Sequence, residues 1–159
     1  MEDREIIIIA PHPDDEIIGC YSILKSSKVY PIVIYTSELP EHRLKETQKL
    51  ASHFKIRDQL YLTQIPDKYI KKENIFYFPD PIYETHPDHR VQGSVGELMA
   101  RSGYNVMFYS TNMQAPYIHE INASSKKKKA LNDIYPGQKS LWEFDHKYFL
   151  FEGYCKWFF

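Results

Sequence analysis

Apolar and polar positions alternate between two periodicities along this chain. The first block, Ile6-Ile7-Ile8-Ile9, is an unbroken run of β-branched residues. Such a run predicts a short strand buried on both faces, as in a parallel sheet. It stops at Pro11 and Pro13, which cannot continue a ladder. Glu16 to Leu24 then reads as a helix and Val29 to Thr36 as a second strand. Glu41 to Phe54 reads as an amphipathic helix with Leu44, Leu50, Ala51 and Phe54 on its apolar side. Residues 59–62 predict a third strand and residues 74–78 a fourth, which ends at Pro79-Asp80-Pro81. A helix after Arg90 carries Val91, Val95, Leu98 and Met99 on one face and ends at Gly103. Tyr104 to Ser110 is a fifth strand, and Pro116 to Ile121 an edge strand or loop. Ser124 to Ile134 is a further helix. After a Pro136-Gly137 turn, Lys139 to Phe159 reads as a last helix, with Trp142, Tyr148, Phe149, Phe151 and Trp157 available for packing. Strand and helix alternate at least four times with short connections, which predicts an α/β fold on a mainly parallel sheet.

Length and composition narrow the function classes. The 159 residues fit one domain, 1–159, with 43% hydrophobic content. Twenty Lys and Arg against 21 Asp and Glu leave a net charge of −1, which argues against an electrostatic nucleic-acid binder. The Lys126–Lys129 run reads as a solvated helix face. The two cysteines, Cys20 and Cys155, are far apart and form neither a metal pattern nor a disulfide framework. Cys20 is expected in the core, and a reducing, cytoplasmic setting is the default. No signal peptide and no span of about 18 apolar residues is apparent, so no membrane span is expected. A dinucleotide glycine fingerprint is absent after the first strand, which removes a nucleotide-binding reading. The oligomeric state, including a homo-oligomer, is left open by the sequence.

The chemistry concentrates at two strand exits. Pro11-His12-Pro13-Asp14-Asp15-Glu16 follows the isoleucine run, where open α/β sheets place their ligands. His12 and Asp15 lie three apart across a tight turn and can reach one ion, while Asp14 stays free for proton transfer. Taken alone, the same loop also fits a polar connection with Asp15 as helix N-cap. The second cluster, Glu84-Thr85-His86-Pro87-Asp88-His89-Arg90, again opens a helix. His12, Asp15 and His89 would leave one zinc position open, the mark of a catalytic site, with His86 one turn back. Iron or another divalent metal would also suit such a set.

These residues resemble the LmbE-like, or PIG-L, zinc-dependent N-deacetylases. Ala10 through Gly19 (APHPDDEIIG) is similar to that family's first motif and His86-Pro87-Asp88-His89 to its second. Arg43-Leu44-Lys45-Glu46 resembles its Arg-x-x-Glu helix, Pro66-Asp67 its Pro-Asp loop, and Lys129-Ala130-Leu131 with Gln138 its C-terminal segment. The resemblance implies a Rossmann-like three-layer fold and hydrolysis of an N-acetylated amino sugar, such as N-acetylglucosamine, or a related small molecule. It implies zinc on His12, Asp15 and His89, with Asp14 as general base. His86 would stabilise the oxyanion and protonate the leaving amine, kept charged by Asp88. Arg43 and Asp67 match positions that hold substrate. The simpler roles are an orienting residue for His86, a solvated helix charge for Arg43 and a turn residue for Asp67. The chain departs from the family in its short length and in Cys20-Tyr21-Ser22 after Gly19, where a small, glycine-rich continuation is usual. The trimmed loops motivate an alternative, a non-catalytic carbohydrate-binding module on the same fold.

Overall fold

The computed structural model describes residues 4–26 and 28–156. In chain order the elements are β1 (Ile6–Ala10), α1 (Asp15–Leu24), β2 (Ile32–Tyr35), α2 (Glu41–Thr47), α3 (Leu50–His53), β3 (Asp58–Tyr61), β4 (Ile75–Pro79), α4 (Pro87–Arg101), β5 (Asn105–Tyr109), β6 (His119–Glu120), α5 (Ser124–Ile134), α6 (Lys139–Phe144), α7 (Lys147–Leu150), β7 (Phe151–Glu152) and β8 (Tyr154–Lys156). The fold is α/β. Its main sheet has six strands in the order β3-β2-β1-β4-β5-β8, all parallel except β8. β6 and β7 form a separate antiparallel pair.

β1 is flanked on both sides, with Ile8 facing Val33 of β2 and Tyr77 of β4. Its unbroken apolar run follows from burial on both faces. Ile7 and Ile9 join Ile32, Ile34, Phe76, Phe78, Val106 and Phe108 in one core cluster. Ile8 and Ala10 join Val33, Tyr35, Tyr77 and Tyr109 in another, with Ile17 of α1 and Leu131 of α5. The chain leaves β1 towards β2 on one side and returns to β4 on the other. The gap between the carboxyl ends of β1 and β4 is therefore the topological switch point of the sheet.

Four expectations need correction. The helix over 41–54 is broken between Thr47 and Leu50. The Thr47 hydroxyl donates back to the Leu44 carbonyl, and the Gln59 amide takes the Thr47 carbonyl, so local side-chain bonds compete with the helix ladder. The last helix ends early. After α6 and α7 the chain turns extended, because the free edge of β5 accepts β8 and β6 accepts β7. The aromatic-rich stretch after Lys147 suits such pairing better than a long helix. Trp157 lies outside the described residues. The Lys126–Lys129 run is not wholly solvated: Lys127 is fully buried. Its ammonium donates to the carbonyls of Ile18 (2.5 Å) and Phe151 (3.0 Å), and burial lowers its pKa to about 8. Ile18 lies beside the kink of α1 at Cys20 (φ −131°), where the Ser22 amide donates to buried Glu152.

The fourth correction concerns α4. Met99 packs against the core as expected, but Val91, Val95 and Leu98 share a face that points to solvent. The buried side consists of His89, Gly93, Gly96 and Ala100. A Cβ on Gly93 would stand 2.7 Å from Pro81 Cα and 2.8 Å from the Pro79 carbonyl; one on Gly96 would stand 2.7 Å from the Phe78 ring. The glycines thus draw the helix backbone onto β4 more closely than larger residues permit. Among the described residues no helix is long and apolar enough to cross a membrane.

Candidate metal centre

Both sequence clusters arrive at the switch point, on the carboxyl ends of β1 and β4. The first is shaped by backbone. Asp14 adopts the left-handed region (φ 92°) that non-glycine residues avoid, at a cost of about 1–3 kcal/mol, and such strain collects at functional sites. It precedes α1 directly, so Asp15 opens the helix at its positive end. Arg43 on α2 fixes this loop: one guanidinium nitrogen donates to the Pro13 carbonyl at 2.7 Å and lies 3.9 Å from Asp14 Oδ2.

The second cluster is built from turn chemistry. Asp80, just past β4, accepts the amides of Ile82 and Tyr83 (2.7 and 2.8 Å), and the Tyr117 hydroxyl holds its other oxygen at 2.7 Å. The chain then enters α4 with His86 as N-cap, its Nδ1 accepting the Asp88 amide at 3.1 Å, and with Pro87 at the first helical position.

Three atoms converge where the clusters meet. His12 Nδ1 and His89 Nε2 are 3.1 Å apart, Asp15 Oδ2 is 3.0 Å from His89 Nε2, and it is 3.5 Å from His12 Nδ1. Asp15 Oδ2 also accepts the His12 amide at 2.7 Å. The His86 ring stands edge-on to His12, 4.5 Å between centroids. Nitrogens of His12, His86 and His89 all lie within 4.8 Å of one another, a group that could hold a metal ion.

Hydrogen counting gives the outer nitrogen of each imidazole its role. His12 Nε2 lies 2.7 Å from the Asp88 carboxylate, which can only accept, so the proton sits on Nε2 and leaves Nδ1 with a lone pair. Thr111 Oγ1 gives its one proton to Glu84 Oε1 at 2.8 Å, while the Thr111 amide donates to the same oxygen at 2.5 Å. His89 Nδ1, 3.1 Å from Thr111 Oγ1, must therefore be the donor there, and on the other side Nε2, 3.0 Å from the Asp15 carboxylate, donates as well unless an ion takes the place of its proton. Carboxylates that orient a histidine through its far nitrogen are the usual outer support of metal ligands. The sequence reading placed Glu84 at the head of the second cluster without a role, and Thr111 escaped it, since neither has a partner at a fixed spacing. Their only signal was position, just beyond the strand exits of β4 and β5.

Asp88 thus contacts His12 more closely than His86, whose Nδ1 is 3.9 Å away. That hydrogen bond with His12 holds the Asp88 carboxyl below its ordinary pKa. Burial tends to raise Asp15, but the facing imidazoles of His89 and His12 prevail and keep it ionised far into acid. Asp14 goes the other way: burial, then the charges of Asp15 and Glu16, push it well up despite Arg43. His89 would be lowered by burial, yet Asp15 and Glu84 raise it to about 10. Two adjacent aspartates are thereby driven apart in proton affinity.

A pocket of about 540 Å³ opens over these groups. His12, Asp14, Asp15, His86, His89 and Arg43 line it, with Glu38, Leu39 and Pro40 on one wall and Asn112, Gln138, Leu141 and Tyr148 elsewhere. Asp67 does not line it. That residue is exposed and opens a 3-10 turn (Asp67–Tyr69) between β3 and β4.

Fold and site define an α/β protein with a histidine- and aspartate-lined pocket at its sheet switch point. Comparison with protein-family models, with curated proteins and with solved structures finds no match to this chain.

Proposed function

We propose that this chain is a metal-dependent amide hydrolase of the LmbE-like type, on a Rossmann-like three-layer fold. It would remove an acetyl or related acyl group from an N-acylated amino sugar or similar small amine. The observation that carries this reading is the spacing of His12 Nδ1, Asp15 Oδ2 and His89 Nε2, 3.0 to 3.5 Å from one another. Tetrahedral zinc ligands at about 2.0–2.1 Å from the ion stand roughly 3.3 Å apart, so this donor set fits zinc in both number and spacing. A divalent ion held there would polarise an amide carbonyl and acidify water in the pocket.

The chain's own residues divide the remaining work. Asp14, buried at the pocket wall with a raised pKa, accepts a proton from the attacking water. His86, exposed at the mouth, stands where it can pass a proton to the departing amine. Doing so requires its Nδ1 to release the Asp88 amide, or its other nitrogen to carry the proton. Asp88, and Glu84 through Thr111, hold the outer nitrogens of His12 and His89 as donors and so orient both rings. Arg43 supports the Asp14 loop and faces the pocket, where it meets substrate.

The test measures metal content and acetate release from a panel of N-acetylated sugars and amines. Asp14→Asn should keep the metal and lose about 10²–10⁴ in rate, the worth of a positioned base. Asp15→Asn should weaken metal binding, since an amide is the poorer ligand. Metal loss in Asp14→Asn with retention in Asp15→Asn would reverse the roles. No acetate from any substrate by the zinc-loaded chain would leave a binding module.

A further inference from the structure

We propose that Lys127 and Glu152, neither of which lines the pocket, are positioning residues for the metal ligands. Together they divide α1 at Cys20 and hold its first turn, with Asp15, in the orientation the site needs. The proposal rests on the reading of His12, Asp15 and His89 as a metal site. Both residues are charged groups in the core, Lys127 fully buried and Glu152 1% exposed, and the hydrolytic steps above use neither. Charges taken out of water at that cost are held by the bonds they make, and those bonds all converge on the kink of α1.

In a straight helix the Ser22 amide would donate to the Ile18 carbonyl, four residues back. Here each group is taken from outside. The Ile18 carbonyl accepts the Lys127 ammonium at 2.5 Å, and the Ser22 amide donates to Glu152 Oε1 at 2.9 Å. The Ser22 hydroxyl donates to Glu152 Oε2 at 2.7 Å, and the Tyr154 hydroxyl to Oε1. Cys20, between the two, has left helical geometry (φ −131°, ψ 26°). Each charge stands at the helix end that suits its sign: the cation at the carboxyl end of the first half, the anion at the amino end of the second. The ammonium also donates to the Phe151 carbonyl at 3.0 Å, so α5 and β7 brace the kink together.

On the pocket side of the kink, α1 keeps only residues 15–19, little more than one turn. A helix that short has no stability of its own, so its direction is set by what grips its ends. At the amino end Arg43 holds the Pro13 carbonyl. At the carboxyl end Lys127 holds Ile18, which lines the pocket three residues past Asp15. The Tyr109 ring closes over Gly19 and leaves no room there for a Cβ, so the turn is packed as well as bonded. Metal–ligand distances tolerate only about 0.2 Å, so a small pivot of this turn moves Asp15 out of range of an ion that His12 and His89 share.

The test titrates cobalt(II), whose visible bands report ligand geometry, into the chelator-stripped full chain. Lys127→Met keeps the length of the stem and removes the donor. It should weaken cobalt binding by roughly tenfold or more, the effect of losing a support behind a metal ligand, and should alter the bands of the bound ion. Glu152→Gln keeps the shape and should change both readouts in the same direction; it carries the test if Lys127→Met does not fold. Val106→Ala, a core truncation at the amino end of β5, lowers stability without touching α1. Its affinity and bands should match wild type while urea unfolding shows the loss, which separates positioning from a general weakening of the fold. Wild-type affinity and bands in the folded Lys127 and Glu152 variants would overturn the proposal and leave the metal site standing. So would a change that Val106→Ala reproduces. A wild-type chain that takes up no cobalt would overturn the proposal together with the metal reading it rests on.

Discussion

Glu16 makes the electrostatic structure of the site measurable through stability. It is fully buried behind Asp15; one carboxyl oxygen accepts the hydroxyls of Tyr35 and Tyr135, and the other has no partner. Burial, with a further push from Asp15, raises its pKa from 4.5 to about 7 against the two tyrosine bonds. The folded state therefore prefers the protonated form. Its contribution is fully present below the unfolded pKa and is lost as pH rises through the folded one. The gap between the two values, at about 1.4 kcal/mol per pH unit, is worth about 3 kcal/mol. Glu16→Gln is nearly isosteric, keeps an oxygen for the two hydroxyls and does not titrate. The difference between wild-type and variant stability cancels the titrating groups that do not sense the Glu16 charge. From pH 5 to pH 8 the variant should gain most of that ~3 kcal/mol relative to wild type. Urea unfolding of both chains in the presence of a chelator measures it, because a bound ion would alter the charge on Asp15. Parallel stability profiles across this range would show that Glu16 carries no excess proton in the folded state, and would refute the reasoning.

Two further outcomes follow from the packing and hydrogen bonding. Thr111→Val removes the acceptor of His89 Nδ1 and should weaken divalent-ion binding by roughly 10–100-fold while sparing the fold, read by competition with a chromophoric chelator. Unchanged affinity would mean that His89 does not depend on Thr111 for its tautomer. Gly93→Ala places a methyl against the Pro79–Pro81 backbone and should destabilise by about 1–3 kcal/mol, although alanine is the better helix former. A stabilised variant in urea unfolding would show that α4 does not pack that closely.

Local pattern determined much of this protein. The isoleucine run, its proline stop and the acids beyond it marked a buried central strand with chemistry at its end, because β-branched side chains and prolines act within a few residues. The same held for His86-Pro87-Asp88-His89 at the head of α4, where capping and an N-terminal proline are local devices. Periodicity also found the apolar stripe of α4. It could not say that the stripe faces outward, because that depends on how closely Gly93 and Gly96 let the helix approach Pro79, Pro81 and Phe78.

Tertiary structure alone decided the partners. Asp88 went to His12, 76 residues away, rather than to nearby His86, and Glu84 and Thr111 met His89 only because β4 and β5 are neighbours. Lys127 left a basic run to enter the core, where two carbonyls beside α1 and β7 were waiting for a donor. The C-terminal segment became strand instead of helix because β5 had an open edge. Sequence spacing reports what one element can present. Which surface covers it, and which proton each buried nitrogen keeps, is settled by groups that arrive from elsewhere in the chain.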